Sequence, residues 1–161
     1  MARNMKFPES DTIAELIEML VGRGVSCSDG DALSPTSRDL SAQAVYIFDD
    51  GEVAAVALCD LGFSGAAGAA LSMLNAEVAE ACVSSRELDD IIRENLYEVL
   101  NIGASWFNAP HAPHVKLREL HVVPTPIPED AEDVLFDYER RSDLQVKIEG
   151  YPVGLLTLLE A

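Results

Sequence analysis

The amino-acid sequence predicts an α+β fold in which an antiparallel sheet is covered by two long adjacent helices. Apolar residues recur at helical spacing over residues 85–108. Two apolar segments rich in Val, Ile, Tyr and Phe flank an Asp-Gly pair at residues 50–51, as in a hairpin. More apolar segments separated by short turns follow in the last third of the chain, and strands joined in this way usually pair antiparallel.

Length and composition bound the organisation of the chain. With 161 residues, 48% of them hydrophobic, residues 1–161 are predicted to form a single domain with its own core. The net charge of -17, from 11 Lys and Arg against 28 Asp and Glu, would repel nucleic-acid phosphates and anionic lipids. We therefore expect no nucleic-acid and no membrane partner. The first residues lack the apolar core of a signal peptide, so a cytoplasmic location is expected.

The first half of the chain alternates helix, loop and hairpin signals. Residues 10–21 carry apolar side chains at helical spacing and are predicted to form a helix. Residues 25–39 are rich in Ser, Asp, Gly and Pro, which predicts a surface loop. The hairpin pairs residues 42–48 with residues 53–61. Residues 62–74, GFSGAAGAALSML, predict a helix of small residues that a second helix can approach closely.

The second half is predicted to contain the longest helix and then strands. A short helical segment at residues 75–82 leads into the helix over residues 85–108, which Pro110 and Pro113 end. Gly103, on the apolar stripe of that helix, is the position expected to meet the small-residue helix. Strands are predicted at residues 115–123, 133–140, 144–149 and 152–159, with turns at 141–143 and 149–151.

Cysteine and histidine residues offer little chemistry by spacing alone. Cys27, Cys59 and Cys82 are odd in number and form no CxxC group, which favours reduced, buried thiols. His111 and His114 in PHAPH could form a metal pair, but no further ligand is near in sequence and the prolines favour a loop. No metal site is predicted in this chain.

The helix over residues 85–108 has a polar face opposite its apolar stripe. Glu98 and Asn101 stand at i, i+3 on that face, so the two side chains point the same way and can engage one target. Asn in the middle of a helix has a slightly unfavourable helix propensity, which favours a functional role for Asn101. The alternative is an ordinary solvated helix face, on which such pairs occur by chance.

The spacing around this pair resembles a known signature. Three residues separate Glu94 from Glu98, two separate Glu98 from Asn101, and 22 separate Asn101 from Pro124. This pattern resembles the phosphatase signature of the CheC, CheX and FliY family of bacterial chemotaxis proteins, in which the first position is Asp or Ser rather than Glu. The order of elements is similar over residues 10–160. Because Ser72 stands where a second motif would need Glu, the chain looks most like the CheX branch.

The resemblance implies a CheC-like fold and a phosphatase of response regulators. Its substrate would be the aspartyl phosphate of a partner similar to the chemotaxis regulator CheY, which would hold its own Mg²⁺, and this chain would need no cofactor. The carry-over gives Asn101 the orientation of the attacking water and Glu98 the docking of the partner by pairing with a lysine. Glu94 and Ser105, on the same face, are predicted to contact the partner too. The resemblance also implies a homodimer.

This chemistry is physically reasonable, and two alternatives stay open. An aspartyl phosphate is an activated acyl phosphate, so an oriented water is the missing reactant, and a neutral carboxamide can accept from that water and donate to a phosphoryl oxygen. GTPases orient water comparably with Gln. The first alternative, which Glu94 keeps open, is a non-catalytic module of the same family that recognises a response regulator or flagellar switch component. The second is an unrelated metal-dependent hydrolase.

Overall fold

The computed structural model describes residues 4–161, and within them six strands form one antiparallel sheet. The strands are β1 (Val25–Asp29), β2 (Leu40–Phe48), β3 (Val53–Asp60), β4 (Val115–Val122), β5 (Arg140–Ile148) and β6 (Gly154–Glu160). Their order across the sheet is β1-β5-β6-β3-β2-β4. The predicted hairpin is confirmed as β2 and β3, and Gly51 supplies the positive φ of +91° that its turn requires.

Helices cover both faces of the sheet. They are α1 (Ser10–Val21), α2 (Leu61–Leu71), α3 (Ala76–Ser85), α4 (Asp90–Ile102) and α5 (Glu129–Phe136). The larger core lies between one face of the sheet and the first four helices, whereas α5 and Leu33 cover the other face in a smaller cluster. The predicted α+β class, an antiparallel sheet covered by helices, is therefore confirmed. No helix among residues 4–161 is long and apolar enough to cross a membrane.

The small-residue helix α2 packs at the centre of the helical layer. From Leu61 to Ala70 every residue is buried, and the Asp60 carboxylate caps the helix by accepting from the Phe63 N–H at 2.8 Å. The same carboxylate oxygen accepts from the Leu155 N–H at 2.9 Å, which ties the start of α2 to β6. Burial raises the pKa of Asp60 despite these hydrogen bonds.

Two predicted irregular segments are strands. The loop predicted over residues 25–39 is wrong in its first part, because β1 pairs with β5 and Val25 lies opposite Ile148. A short polar edge strand has a loop-like composition, and only its distant partner reveals it. The turn predicted at residues 141–143 is also wrong: this segment lies inside β5, where Arg141 and Asp143 form an ion pair at 2.8 Å.

Two further predictions fail in the second half. The strand predicted at residues 133–140 is wrong because α5 occupies Glu129–Phe136, with Ala131, Val134 and Leu135 buried at i, i+3, i+4 and acidic residues in its first turn. The last strands do not all pair with their neighbours in sequence either, because β4 pairs with β2 and lies at the sheet edge. The pairing of β5 with β6 and the predicted turn between them are confirmed.

The single helix predicted over residues 85–108 is three segments. Helix α3 ends at Ser85, Arg86 adopts a left-handed conformation with φ 60°, and α4 begins only at Asp90. The Asp89 carboxylate starts the new helix by accepting from the Ile92 N–H at 2.9 Å. Beyond Ile102 the chain tightens into a 3₁₀ turn, Gly103–Phe107. The amphipathic pattern was therefore interpreted correctly in α4 but extended too far at both ends.

Candidate functional site

Helix α4 presents one buried stripe and one exposed polar face. Its apolar stripe is fully buried and consists of Ile92, Leu96, Val99 and Leu100. Glu94, Glu98 and Asn101 are exposed on the opposite side, and Ser105 is exposed on the 3₁₀ turn that follows. The predicted separation into a packing stripe and a solvent-facing polar stripe is thus present.

The side chains of Glu98 and Asn101 have no partner in the described part of the chain. Across residues 4–161, no hydrogen bond or ion pair involves either side chain, and the same holds for Glu94. Their carboxylate and carboxamide groups are therefore free to meet an external molecule. Since i and i+3 lie on one side of a helix, Glu98 and Asn101 can contact the same target.

Asn95 anchors α4 to the end of α2. Its Nδ2 donates to the Gly68 carbonyl and to the Ser72 hydroxyl, both at 2.7 Å. Gly68 allows the close approach of the helices, because a Cβ there would lie 2.8 Å from Cγ2 of Ile92. The predicted contact between Gly103 and the small-residue helix is wrong. A Cβ on Gly103 would instead meet the Trp106 ring at 2.8 Å.

Replacing Asn95 by alanine is expected to lower the free energy of unfolding by about 1–2 kcal/mol, because the Gly68 carbonyl and the Ser72 hydroxyl lose their donor. Urea denaturation measures this change. The matched control is Glu94→Ala one residue away, which removes an exposed side chain without a partner and should stay within about 0.5 kcal/mol of the wild type. Equal stabilities of the two variants would contradict the anchoring role of Asn95.

The other end of α4 is held from the sheet. The fully buried Tyr46 of β2 donates its hydroxyl to the Leu100 carbonyl at 2.7 Å, directly before Asn101 in the chain. Burial raises the pKa of Tyr46, so the hydroxyl remains protonated and available as a donor. The Tyr46 ring also contacts Phe107, with centroids 5.0 Å apart. The backbone next to Asn101 is therefore held in place by a side chain of the sheet.

Sequence reasoning missed Asn95 and Tyr46 as supports of the site. The sequence signal that could have identified Asn95 is an Asn in the middle of a predicted helix. The structure adds that this side chain is half-buried beside the small-residue helix. Asn108, at the end of the 3₁₀ turn, is structural. Its carboxamide donates to the Val115 carbonyl at 2.9 Å and accepts from the Val115 N–H at 2.8 Å, which joins the 3₁₀ turn to β4.

Pro124 lies near the other end of α4 from Asn101. It follows β4 through a cis peptide bond after Val123, and it lines a cavity together with Leu88 and Arg93. Arg93 is two turns of helix, about 12 Å, before Asn101. Pro124 therefore shapes the chain after β4, next to the start of the helix.

Histidine and cysteine side chains form no obvious reaction centre. His114 Nδ1 lies 2.9 Å from a carboxylate oxygen of Asp49, between two exposed loops. Among residues 4–161, no group of three or more His, Cys, Asp and Glu side chains is placed to hold a metal ion. Cys27 is half-buried and Cys59 fully buried, and desolvation raises the pKa of the Cys27 thiol to about 11. All three cysteines are free thiols.

The fold and the site define an α+β domain that presents an unpartnered Glu–Asn pair on the exposed face of an anchored helix. This fold is shared with FliY and with FliM middle domains. FliY from Thermotoga maritima superimposes with a TM-score of 0.59 at 13% identity, covering 94% of this chain and 89% of FliY. The FliM middle domain from H. pylori gives a TM-score of 0.52 at 8% identity, covering 94% of this chain and 84% of that chain.

A CheX from Desulfovibrio desulfuricans aligns more loosely, with a TM-score of 0.39 at 11% identity over 93% of this chain and 95% of that chain. No protein-family model and no curated protein matches the sequence. Identities this low show a common fold and nothing finer. The structural similarity therefore fits the fold of the predicted family, and the closer resemblance to the CheX branch stays a prediction.

Proposed function

We propose that this protein is a phosphatase of the CheC, CheX and FliY family that hydrolyses the aspartyl phosphate of a CheY-like response regulator. One observation carries the proposal: Glu98 and Asn101 are exposed and unpartnered within residues 4–161, on a helix that Asn95 and Tyr46 hold in place. Polar side chains that act in a partner's active site must be unpaired and held on a rigid element. The fold shared with FliY supports the same class of protein.

Asn101 would orient the attacking water. Its Oδ1 accepts a hydrogen bond from the water, and its Nδ2 donates to a phosphoryl oxygen. The water oxygen attacks phosphorus, the bond between phosphorus and the aspartyl oxygen breaks, and inorganic phosphate and a free carboxylate leave. The proton lost by the water passes to the products or the solvent. Mg²⁺ bound by the partner neutralises phosphoryl charge, and no cofactor of this chain takes part.

The surroundings of the pair suit a protein partner. Ile91 and Tyr97, 55% and 42% exposed, flank the polar residues on α4. A groove of about 440 Å³ between α4 and the end of β4 is lined by Glu94, Tyr97 and Thr125. Exposed aromatic and aliphatic side chains beside polar ones are typical of interfaces. Glu94 and Ser105 would extend the contact along the helix, and the acidic face favours a basic rim on the partner.

Substituting Glu98 by glutamine is expected to raise the KM for the phosphorylated regulator about tenfold, with a smaller effect on kcat, since the charge that pairs with a partner lysine is lost. Initial rates of phosphate release at two salt concentrations measure both constants. The wild-type KM should rise with salt, whereas the KM of the variant should depend on salt less. An unchanged KM would remove Glu98 from the docking surface.

A non-catalytic binding module is the second candidate function. Glu94, which replaces the Asp or Ser of the signature, is longer and favours it. The FliM of H. pylori that aligns with a TM-score of 0.55 was solved in complex with SpeE, so this fold can serve as a binding unit. A flagellar switch component or an unphosphorylated regulator would then be the partner.

One experiment separates the two functions. The protein is incubated with a panel of phosphorylated response regulators, and the loss of phosphate is followed against spontaneous hydrolysis. Faster loss for at least one regulator supports the phosphatase. Binding to a regulator without faster loss supports the binding module. The proposal includes the cytoplasmic location expected from the sequence. It also includes the homodimer that the resemblance implies, which light scattering tests.

A further inference from the structure

A cavity of about 510 Å³ opens at the N-terminal end of α4, away from Glu98 and Asn101. Three arginines line it: Arg38 from the segment before β2, Arg86 from the break after α3, and Arg93 from α4. Glu87 is the one carboxylate among its described lining residues. Positive charge is thus concentrated in one concave site.

This concentration is unusual for a chain with 11 basic and 28 acidic residues. Three arginines outside the cavity pair with carboxylates: Arg118 with Asp130, Arg140 with Glu160, and Arg141 with Asp143. Within residues 4–161, by contrast, no carboxylate forms an ion pair with Arg38 or Arg93. Two of the three like charges at the cavity therefore lack a carboxylate partner, so an anionic ligand would stabilise this arrangement.

Two of the three side chains are held in position. Arg86 forms an ion pair with Asp39 at 2.8 Å and also donates to the Arg38 carbonyl. Arg93 donates its Nε to the Leu88 carbonyl at 3.0 Å, which leaves both terminal nitrogens of that guanidinium free. Their donors are therefore oriented before a ligand arrives, which lowers the entropic cost of binding.

Apart from Ser41, the remaining wall of the cavity is apolar. Leu40, Leu61 and Leu88 line it with less than a tenth of their surface exposed. Cavities of about 300–1,000 Å³ with apolar walls and a few polar groups are typical small-molecule sites. The helix amides are not the anion donors, because the Asp89 carboxylate already caps the N-terminus of α4.

We propose that this cavity binds a small phosphorylated molecule, with its phosphoryl groups between Arg38, Arg86 and Arg93 and its uncharged part against the leucines. Guanidinium groups bind phosphate oxygens through paired, charge-assisted hydrogen bonds. Such a ligand supplies the negative charge that the cavity lacks. The site contains neither Glu98 nor Asn101, so it stands whether or not the chain is a phosphatase.

Isothermal titration calorimetry at constant ionic strength tests the site with two probes, pyrophosphate and ADP. Saturable binding at one site per chain is expected, with ADP tighter than pyrophosphate because its nucleoside can contact the leucines. Arg38→Gln and Arg93→Gln should each weaken binding about tenfold or more. Arg38 has no side-chain bond within residues 4–161, so its variant should fold normally.

Lys116→Gln is the matched control, because it changes the net charge equally at an exposed position on β4 outside the cavity. Its affinity for both probes should equal that of the wild type. If Lys116→Gln weakened the binding of the probes as much as the arginine variants do, the binding would reflect diffuse charge attraction. That result would overturn the proposed site. Absence of saturable binding for both probes at millimolar concentration would overturn it as well. ADP binding no tighter than pyrophosphate would remove the role of the leucine wall.

Discussion

Replacing Asn101 by alanine is expected to lower the rate of regulator dephosphorylation about 100-fold or more, because the group that orients the attacking water is lost. The side chain is exposed and makes no hydrogen bond within residues 4–161, so the free energy of unfolding should change by less than about 0.5 kcal/mol. Phosphate release from the cognate regulator and urea denaturation measure the two quantities.

Two further variants define the role of the carboxamide. Asn101→Asp keeps the shape but loses the donor and adds a negative charge beside the phosphoryl group, so it should be as inactive as the alanine variant. Glu80→Ala removes an exposed acidic side chain from α3, off the polar face of α4, and should keep full activity. Wild-type rates for Asn101→Ala would exclude the water-positioning mechanism. If binding persisted as well, the non-catalytic module would be favoured.

Replacing Gly154 by alanine is expected to cost about 3 kcal/mol of stability or more. A Cβ at Gly154 would overlap the backbone N and Cα of Phe63, at the start of α2. Backbone atoms cannot rotate away as a side chain can, so α2 would have to move from β6. That shift would also stretch the hydrogen bonds of Asp60 to the Phe63 and Leu155 N–H groups. Thermal and urea unfolding measure the loss.

Gly24→Ala is the control for this effect. A Cβ at Gly24 would meet carboxylate oxygens of Glu149 at 3.2 Å and Glu18 at 4.0 Å, both at the ends of flexible side chains that can move. Its cost should stay below about 1 kcal/mol. Comparable losses in the two variants would show that the contact of α2 with β6 does not govern the stability at Gly154.

Elements with a strong local pattern were predicted correctly. The Asp50-Gly51 turn between two β-branched segments determines the hairpin of β2 and β3, since a tight turn sets the register of its neighbours. The small residues of α2 and the amphipathic repeat of α4 also depend on nearby residues alone. The exposure of Glu98 and Asn101 follows from that repeat, because residues opposite a buried stripe face the solvent.

Features that depend on distant contacts were not predicted. Strand β1 is defined by its pairing with β5, more than 100 residues later in the chain. Helix α5 was mistaken for a strand because its short apolar segment fits both periodicities, and packing against the far face of the sheet decides between them.

The sequence alone determined the hairpin, the small-residue helix and the polar face of α4 that carries Glu98 and Asn101. The tertiary structure decided the sheet order, the anchoring of that face by Asn95 and Tyr46, and the meeting of Arg38 with Arg86 and Arg93 at one cavity. The physical reason is the difference in sequence range between the two kinds of interaction. Periodicity and turn chemistry act over a few residues, whereas these contacts join side chains that only the folded sheet and helices bring together.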